Sequence, residues 1–385
     1  WESLWEFFEI QSSEPYTRVL STHEMPGAKW FEGARLNYTE HVFRHMRPNE
    51  PAILSKSELR PLSEMTWQQL YDEVALFADR LKATGIQRGD RVVAYIPNIP
   101  EAVVAFLACA SIGAIWSSCS PDFGSPTVID RFKQIEPKIL IAVDGYRYGG
   151  RDFNRIETVR QIQAAIPSLE KTIVLPYLNE KPDLSSLQST QLWEDFIGER
   201  KKVKLTYEQV PFDHPLWVLY SSGTTGLPKA IVQGQGGIIL EHLKKAVLHT
   251  DLKPDDRFFW FTTTGWMMWN VVVGSLLSGA TAILYDGNPS YPNSETMWAF
   301  AEETGMTVFG TSATFLLMCM QQNVKPNETY NLSKLKSVMS TGSPLPPEGF
   351  QWVYENVGKD IWLASASGGT DLCTAFVLGC PLLPV

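Results

Sequence analysis

The sequence predicts an α/β fold in which parallel sheets are flanked by helices. From residue 66 onward, short runs of β-forming residues alternate with helical runs, and this alternation is typical of βαβ units. Hydrophobic residues make up 44% of the 385 residues and charged residues only 19%, which suits a globular chain with a large core. This composition argues against a disordered, collagen-like or coiled-coil protein.

The predicted elements follow one another in a regular order. Residues 1–45 are aromatic-rich and irregular, and we expect an extension that packs on a main body formed by residues 46–385. Residues 176–212 are interpreted as a polar surface segment. The predicted strands are residues 91–96, 114–118, 138–143, 171–175, 216–220, 258–261, 281–285, 306–309, 335–340 and 361–364. The predicted helices are residues 100–112, 125–136, 236–249, 266–278, 294–303, 312–322 and 346–356.

Proline and glycine mark several of these boundaries. Pro100 and Pro126 each stand in the first turn of a predicted helix, where the missing N–H has no helical partner to lose. Gly279 separates a predicted helix from a predicted strand inside residues 262–285, a stretch of 24 residues without a charge. That length exceeds the roughly 20 residues of a membrane helix. Because Gly, Ser and Thr interrupt the stretch, we predict a buried helix and strand and no membrane span.

Charge and cysteine content exclude several functional classes. The net charge is −9, whereas a dedicated nucleic-acid binder normally carries a basic stripe, so we expect no nucleic-acid partner. The five cysteines are widely spaced and form no CxxC pair, which argues against a disulfide framework or a zinc site and favours the cytoplasm. We expect Cys373 and Cys380 to be buried apolar residues and not nucleophiles, and His242 to be a structural or a surface residue.

A loop rich in small polar residues follows the predicted strand at 216–220. Seven of its nine residues are Ser, Thr, Gly or Lys. Glycines allow unusual backbone shapes, and hydroxyl groups, free N–H groups and a lysine can converge on phosphate oxygens. The spacing differs from a Walker A loop, and a plain polar linker is the alternative. The loop reads Ser221, Ser222, Gly223, Thr224, Thr225, Gly226, Leu227, Pro228 and Lys229.

This loop resembles the phosphate loop of the adenylate-forming superfamily, which includes acyl-CoA synthetases, luciferases and peptide-synthetase adenylation domains. Two further segments resemble the same family: Gly342-Ser343-Pro344, and Gly368-Gly369-Thr370-Asp371. Residues 26–38 and 97–101 are similar to the short-chain, acetyl-CoA-synthetase-like branch. The resemblance implies the large domain of an adenylate-forming enzyme. It also implies that relatives continue into a small C-terminal domain, so we interpret the chain as the N-terminal part of such a protein.

The resemblance assigns roles toward ATP and Mg²⁺. Residues 221–226 and Lys229 would hold the phosphates, and Gly342, Ser343 and Pro344 would border the adenine. Thr370 would contact phosphate, and Asp371 would bind Mg²⁺ directly or through water. The alternatives are an ordinary strand-to-helix turn at 342–344 and a helix N-cap at Asp371. Lys229, Thr370 and Asp371 are the predicted catalytic residues.

The resemblance also suggests where the acid and coenzyme A bind. Acetate-activating relatives carry Trp where this chain has Gly368. Because glycine leaves more room than tryptophan, the pocket should accept a longer acid such as acetoacetate. Asn270 would donate a hydrogen bond to the ketone of that acid. Arg147 and Arg151 would lie near the phosphates of coenzyme A, or else belong to a solvated loop. The predicted acyl pocket consists of Trp266, Met267, Met268, Trp269, Asn270, Thr341 and Gly368, although Met267, Met268 and Trp269 are alternatively core residues.

The implied function is an ATP-dependent acid–CoA ligase acting in two steps. The carboxylate of a small acid attacks ATP to give an acyl-adenylate, and CoA then displaces AMP. Two alternatives stay open: an adenylate-forming enzyme for another acid or for a carrier-protein thiol, and a non-catalytic nucleotide-binding relative. We expect the chain alone to adenylate poorly, because relatives carry a required lysine in the C-terminal domain.

Overall fold

Two seven-stranded sheets form the body of the protein. The computed structural model describes residues 1–221 and 226–383. In the first sheet every pair of neighbouring strands is parallel except the last pair, which is antiparallel. Its strands, in spatial order, are Thr190–Leu192, Lys171–Leu175, Ile139–Val143, Arg91–Tyr95, Ile115–Cys119, Pro215–Tyr220 and Ala230–Gly234.

The second sheet has the same pattern of strand directions as the first. Its strands are parallel except for one antiparallel pair at the edge. In spatial order they are Trp362–Ser365, Ser337–Thr341, Val308–Ser312, Arg257–Trp260, Thr281–Asp286, Pro51–Ser57 and Ser63–Thr66. Four two-stranded pairs add to the two sheets: Arg18–Leu20 with Trp30–Glu32, Arg35–Leu36 with Val210–Pro211, Gly145–Tyr148 with Arg151–Asn154, and Ser367–Gly369 with Thr374–Val377.

Helices connect the parallel strands, as the alternating sequence pattern predicts. The α-helices are Glu2–Phe7, Tyr38–Phe43, Trp67–Ala83, Pro100–Ser111, Ser125–Phe132, Ile156–Ala165, Trp193–Ile197, Gln235–Leu243, Met268–Gly274, Thr296–Thr304, Ala313–Gln321, Pro326–Thr329 and Pro347–Asn356. Short 3₁₀ turns lie at Lys133–Ile135 and Ser275–Ser278, and a π-helical turn lies at Lys244–His249. The predicted α/β class with parallel sheets and flanking helices is confirmed.

The helix Pro100–Ser111 lies in the centre of the molecule. Apolar residues cover its whole circumference, and all its residues from Ala102 to Ser111 are buried. The Phe106 ring lies 6.1 Å from the Trp116 ring of the first sheet and 5.9 Å from the Trp269 ring of a second-sheet helix. The apolar core is therefore shared by elements of both sheets.

The interpretation of residues 176–212 as a polar surface segment is wrong in part. This segment contains the edge strand Thr190–Leu192 and the helix Trp193–Ile197. Trp193, Phe196 and Ile197 are buried, because residues three and four apart share one face of a helix and this face packs inward. Three apolar residues among many polar ones are a weak signal in the sequence.

The uncharged stretch 262–285 forms buried elements, as predicted. It contains the helix Met268–Gly274, the 3₁₀ turn Ser275–Ser278 and the strand Thr281–Asp286. Gly279, with φ +78°, ends the turn in the left-handed region that glycine adopts most readily. Among the described residues, no helix has both the length and the apolar character needed to cross a membrane.

The N-terminal segment packs firmly on the main body. Phe31 is fully buried, and its ring lies 4.6 Å from that of Trp5 and 5.0 Å from that of Phe212. The side-chain amide of Asn37 donates to the carbonyl oxygens of Ala110 and Glu208 at 3.0 and 2.9 Å. Residue 45 as the end of a separate extension stays a prediction.

Candidate active site

The loops at the carboxyl ends of the two sheets are hydrogen-bonded to each other. Ser118 Oγ, in a first-sheet strand, donates to the carbonyl oxygen of Thr264 at 2.9 Å. Thr264 Oγ1 in turn donates to the carbonyl oxygen of Ile96 at 2.6 Å. Because ligands of parallel α/β sheets bind beyond the carboxyl ends of the strands, this junction is the expected place for a site.

A cavity of about 440 Å³ lies at this edge of the second sheet. Its volume falls within the roughly 300–1,000 Å³ of small-molecule sites. Three segments that are distant in sequence line it together, and nine of the predicted site residues are among them: Trp266, Met267, Met268, Thr341, Gly342, Ser343, Pro344, Gly368 and Thr370. The segments predicted to bind the acid and the adenine therefore surround one space together with Thr370. Asp371 and the described ends of the predicted phosphate loop, Ser221, Gly226 and Lys229, do not line this space.

Two residues of the predicted acyl pocket, Trp269 and Asn270, are not part of the cavity lining. The Trp269 side chain is fully buried, and its ring stacks 6.4 Å from that of Trp116. Asn270 is only 1% exposed. Both belong to the helix Met268–Gly274, in which successive side chains point in different directions, so Met268 and Val271 face the cavity instead.

The turn at 342–344 follows the strand Ser337–Thr341. Gly342 adopts φ +92°, a conformation that side-chain-bearing residues rarely adopt, although an added Cβ would meet no atom within 4 Å. Thr341 Oγ1 donates to the carbonyl oxygen of Ala366 at 2.8 Å. The turn predicted to border the adenine is thus joined to the segment that leads to Gly368.

Thr370 and Asp371 lie in the turn of the hairpin formed by Ser367–Gly369 and Thr374–Val377. No helix begins at this turn, so the helix N-cap alternative for Asp371 is wrong. Asp371 is exposed, and Thr370 is partly exposed. Among the described residues no group of three or more His, Cys, Asp or Glu side chains is arranged to hold a metal ion. A single carboxylate together with substrate phosphates is nevertheless a common arrangement for Mg²⁺.

Gln233, which the sequence analysis missed, supports this turn. Its Nε2 donates to the carbonyl oxygens of Thr370 and Asp371 at 2.8 and 3.2 Å, and its Oε1 accepts from Trp217 Nε1 at 2.7 Å. Gln233 belongs to the strand that follows the predicted phosphate loop. A direct chain of hydrogen bonds therefore connects that strand with the Thr370–Asp371 turn. Its one sequence signal is a polar residue that directly follows Ile231 and Val232.

The glycine at position 368 is required by close packing. A Cβ there would lie 2.2 Å from the carbonyl oxygen of Thr374 and 2.9 Å from the Cα of Ala375. Any side chain at this position therefore requires the facing strand of the hairpin to move. The absence of a side chain at Gly368, which the resemblance relates to acid length, is thus also needed for the observed packing of this hairpin.

The predicted phosphate loop is described only at its ends. Ser222, Gly223, Thr224 and Thr225 lie outside the described residues. The backbone N–H of Ser221 donates to the carbonyl oxygen of Lys229 at 3.2 Å, which brings the two ends of the loop together. Gly226 and Lys229 are exposed. The role of this loop in phosphate binding stays a prediction.

Arg147 and Arg151 lie on a different hairpin and do not line the 440 Å³ cavity. Arg147 Nε forms an ion pair with Asp152 Oδ1 at 2.5 Å, and Arg151 is exposed. The backbone N–H groups of the hairpin turn, at residues 149 and 150, donate to the carboxylate of Glu58 at 2.8 and 2.7 Å. The two arginines are thus held on an anchored turn, at an open surface.

Lys245 is a second residue that the sequence analysis missed. It lines the 440 Å³ cavity, although it is only 6% exposed. Its Nζ lies 4.7 Å from the centre of the Phe258 ring. Burial lowers the pKa of Lys245 to about 7. The predicted helix 236–249 contains this lysine, but it also contains Glu241, Lys244 and two histidines, so the sequence does not set Lys245 apart.

His242 and Cys373 join the hairpin to the helix Gln235–Leu243. His242 is buried, and its Nε2 donates to the carbonyl oxygen of Cys373 at 3.1 Å. Burial lowers the pKa of His242 to about 4, so the ring is neutral at pH 7. The structural role expected for His242 agrees with this contact. Cys373 is buried as expected, whereas Cys380 is partly exposed, so that expectation was wrong for Cys380.

Comparisons with known proteins agree with this arrangement. The profile of the AMP-binding enzyme family matches residues 41–382, and that of the acetyl-coenzyme A synthetase N-terminus matches residues 1–42. The acetoacetyl-coenzyme A synthetase of Rhizobium meliloti is 42% identical over 100% of this chain and 59% of its own length. Malonamoyl-CoA synthetase of Penicillium aethiopicum is 36% identical, with 100% and 57% covered.

A solved structure is similar over the whole chain. The acetoacetyl-CoA synthetase from Streptomyces lividans superimposes with a TM-score of 0.95 at 51% identity, covering 100% of this chain and 59% of that protein. The chain thus spans somewhat less than three fifths of the length of these relatives. Because the family profile matches most of the chain and the cavity unites the family's segments, the chain belongs to the AMP-binding enzyme family.

Proposed function

We propose that the whole protein is an ATP-dependent acid–CoA ligase that converts acetoacetate into acetoacetyl-CoA. The observation that carries this proposal is the shared cavity, which the predicted acyl and adenine segments line together with Thr370. A ligase of this type has to hold an acid next to a nucleotide, and one cavity lined by both segments suits that task. The similarity to acetoacetyl-CoA synthetases over the full chain supports the same activity.

The described residues suit ATP and Mg²⁺. Gly342, Ser343 and Pro344 offer an open backbone edge for the adenine, and Thr370 offers a hydroxyl group at the other end of the cavity. Asp371 would hold Mg²⁺, which when bound neutralises charge on the phosphates. Ser221, Gly226 and Lys229, together with residues 222–225, would bind the β- and γ-phosphates. Arg147 and Arg151 would face the phosphates of coenzyme A from their hairpin.

The chemistry requires no covalent bond to the protein. A carboxylate oxygen attacks the α-phosphorus of ATP, a P–O bond to pyrophosphate breaks, and an acyl-adenylate forms. The sulfur of CoA then attacks the acyl carbon, loses its proton and releases AMP. The protein contributes positioning and preorganised electrostatics, because negative charge builds up on the departing phosphates.

Acetoacetate is the acid that the cavity and the relatives favour. Trp266, Met267 and Met268 form apolar walls where we propose that the acyl group binds. Gly368 also lines the cavity and has no side chain to fill it. The names of the two kinds of relative refer to acetoacetyl and malonamoyl groups, both of which carry a carbonyl on the third carbon. We therefore propose short acids with a carbonyl at this position as the substrate class. The five free cysteines suit our expectation of a cytoplasmic location.

An acid panel tests the proposed function. The whole protein is incubated with ATP, Mg²⁺ and acetoacetate, malonamate, butyrate or acetate, and AMP release is measured with and without CoA. We expect the largest kcat/KM with acetoacetate, and product formation that depends on CoA. Equal turnover without CoA but with a carrier protein would favour the carrier-loading alternative. Absence of AMP and pyrophosphate with every acid would favour a non-catalytic relative and overturn the proposal.

A further inference from the structure

The amine of Lys245 has an unusual position. The residue lies in the π-helical turn Lys244–His249, and such turns occur often at functional sites. Its side chain reaches the wall of the 440 Å³ cavity and places Nζ above the Phe258 ring, which belongs to the second sheet. Phe258 is fully buried, so the amine is enclosed by apolar groups on that side.

Apart from its contact with the Phe258 ring, the Lys245 amine has no polar partner among the described residues. The neighbouring Lys244 forms an ion pair with Glu241 at 2.7 Å, whereas the Nζ of Lys245 has no hydrogen bond or ion pair within residues 1–221 and 226–383. Lys245 is also the one ionisable side chain among the described residues that line the 440 Å³ cavity. A buried amine without a partner is costly, so a bound ligand that accepts its hydrogen bond would be favoured.

We infer that Lys245 Nζ donates a hydrogen bond to the carbonyl oxygen on the third carbon of the substrate acid and thereby selects 3-oxo acids. This inference rests on the proposed function. The carboxylate of the acid has to face the nucleotide near Thr370, so the remaining acceptor of acetoacetate is its ketone. Lys245 is the charged donor among the described residues of the same cavity.

The same contact explains how an unsubstituted acid would be rejected. Butyrate has the same four carbons as acetoacetate but no ketone, and it would cover Lys245 with a methylene group. The amine would then lose contact with water without gaining an acceptor. Sites built to bind a polar substrate group reject analogues that lack it much more strongly than apolar pockets reject a missing methylene.

The test compares acids in the whole protein. Lys245→Met removes the amine, and Lys245→Gln keeps an uncharged donor. Lys244→Met is the matched control, because Lys244 is adjacent and does not line the 440 Å³ cavity. The measured quantity is the ratio of kcat/KM for acetoacetate to kcat/KM for butyrate, with a thermal melt to verify that each variant folds.

We expect Lys245→Met to lower this ratio roughly 10- to 100-fold, Lys245→Gln to lower it less, and Lys244→Met to leave it unchanged. An unchanged ratio, or an equal loss for both acids, would overturn the role of Lys245. If the unaltered protein does not use acetoacetate at all, the proposed function itself fails, which is a separate outcome. If Lys245→Met does not fold, the result for Lys245→Gln decides.

Discussion

At the scale of single residues, Gln233 connects two parts of the site that are far apart in sequence. Its side chain accepts from Trp217 and donates to the backbone on both sides of the Thr370–Asp371 turn. It is only 9% exposed, so water cannot easily replace these bonds. Gln233 does not line the 440 Å³ cavity, so we expect it to act as a positioning residue for the turn.

Replacing Gln233 by leucine should loosen the turn. The change removes two donors and leaves the indole N–H of Trp217 without its acceptor, which we expect to lower the free energy of unfolding by about 1–3 kcal/mol. ATP–pyrophosphate exchange by the whole protein should fall more in kcat than in the KM for the acid. Gln68→Leu, at a partly exposed site where the side-chain amide donates to Asp72, is the control for stability. Unaltered exchange in Gln233→Leu would contradict the positioning role.

His242 makes the hairpin sensitive to acid. Its folded-state pKa is lowered to about 4 by burial, whereas an unfolded histidine has a pKa of about 6.5. Between pH 4 and pH 6.5 this histidine therefore binds a proton in the unfolded state but stays neutral in the folded state. Stability should be complete above pH 6.5 and should decrease as the pH falls toward 4.

A thermal melt at pH 7.5 and at pH 4.5 measures this effect. His242→Gln should lose less stability between the two pH values than the unaltered chain, by up to roughly 3 kcal/mol, because glutamine takes up no proton. His23→Gln, which replaces an exposed imidazole, should change little. The same loss of stability in His242→Gln as in the unaltered chain would show that other groups govern the acid response.

At the scale of elements, the hairpin with Ser367–Gly369 and Thr374–Val377 determines the shape of the cavity. Six residues of its two strands line the cavity: Ser367, Gly368, Gly369, Thr374, Ala375 and Val377. The two strands approach closely at Gly368, where an added Cβ would clash with the opposite backbone. At Gly369, by contrast, an added Cβ would meet no atom within 4 Å. Adjacent glycines thus have opposite tolerance for a side chain.

This contrast gives a matched pair of substitutions. Gly368→Ala should lower the free energy of unfolding by about 1–3 kcal/mol, because the facing strand has to shift to admit the methyl group. Gly369→Ala should be tolerated. Adenylation of acetoacetate should fall in the first variant only. If both alanine variants behave alike in thermal melts and in exchange assays, the close approach at Gly368 does not matter for the site.

The elements that sequence analysis predicted well are those with strong local patterns. The strand Pro215–Tyr220 and the helix Pro100–Ser111 agree with their predicted bounds to within one residue, because continuous apolar residues and a proline mark them. The strand Ala230–Gly234 was missed. It lies at a sheet edge, and its apolar run, Ala230-Ile231-Val232, is only three residues long, which is a weak signal for a strand. Edge strands and hairpins depend on partners distant in sequence, which local patterns do not contain.

At the scale of the whole molecule, the sequence motifs pointed to loops that line the cavity but not to Lys245 or Gln233. The three loop segments could be found because they follow predicted strands and resemble known family segments. Lys245 and Gln233 could not, since their importance depends on what surrounds them: Phe258 and the cavity for Lys245, and the Thr370–Asp371 turn for Gln233. The family resemblance places Trp269 and Asn270 in the acyl pocket, whereas in the structure the helix directs both side chains away from the cavity lining.

Residues 1–385 on their own should catalyse the first step of the proposed reaction only slowly. The family resemblance implies that a lysine in a further C-terminal domain takes part in adenylation. We therefore expect this chain to catalyse ATP–pyrophosphate exchange on the order of 100-fold more slowly than the whole protein, the size of effect typical for loss of one preorganised donor. Equal rates for both proteins would mean that residues 1–385 contain all groups needed for the first step.

The hydrogen bonds around Thr264 join the two sheets at the edge where the cavity lies. Ser118 on one side and Ile96 on the other hold this loop of the second sheet against the first sheet, and Thr264 is almost completely buried. Separating the two sheets would break these buried bonds and expose part of the shared apolar core. We therefore expect any movement between the two steps of the proposed reaction to occur in the loops at this edge, while the two sheets stay together.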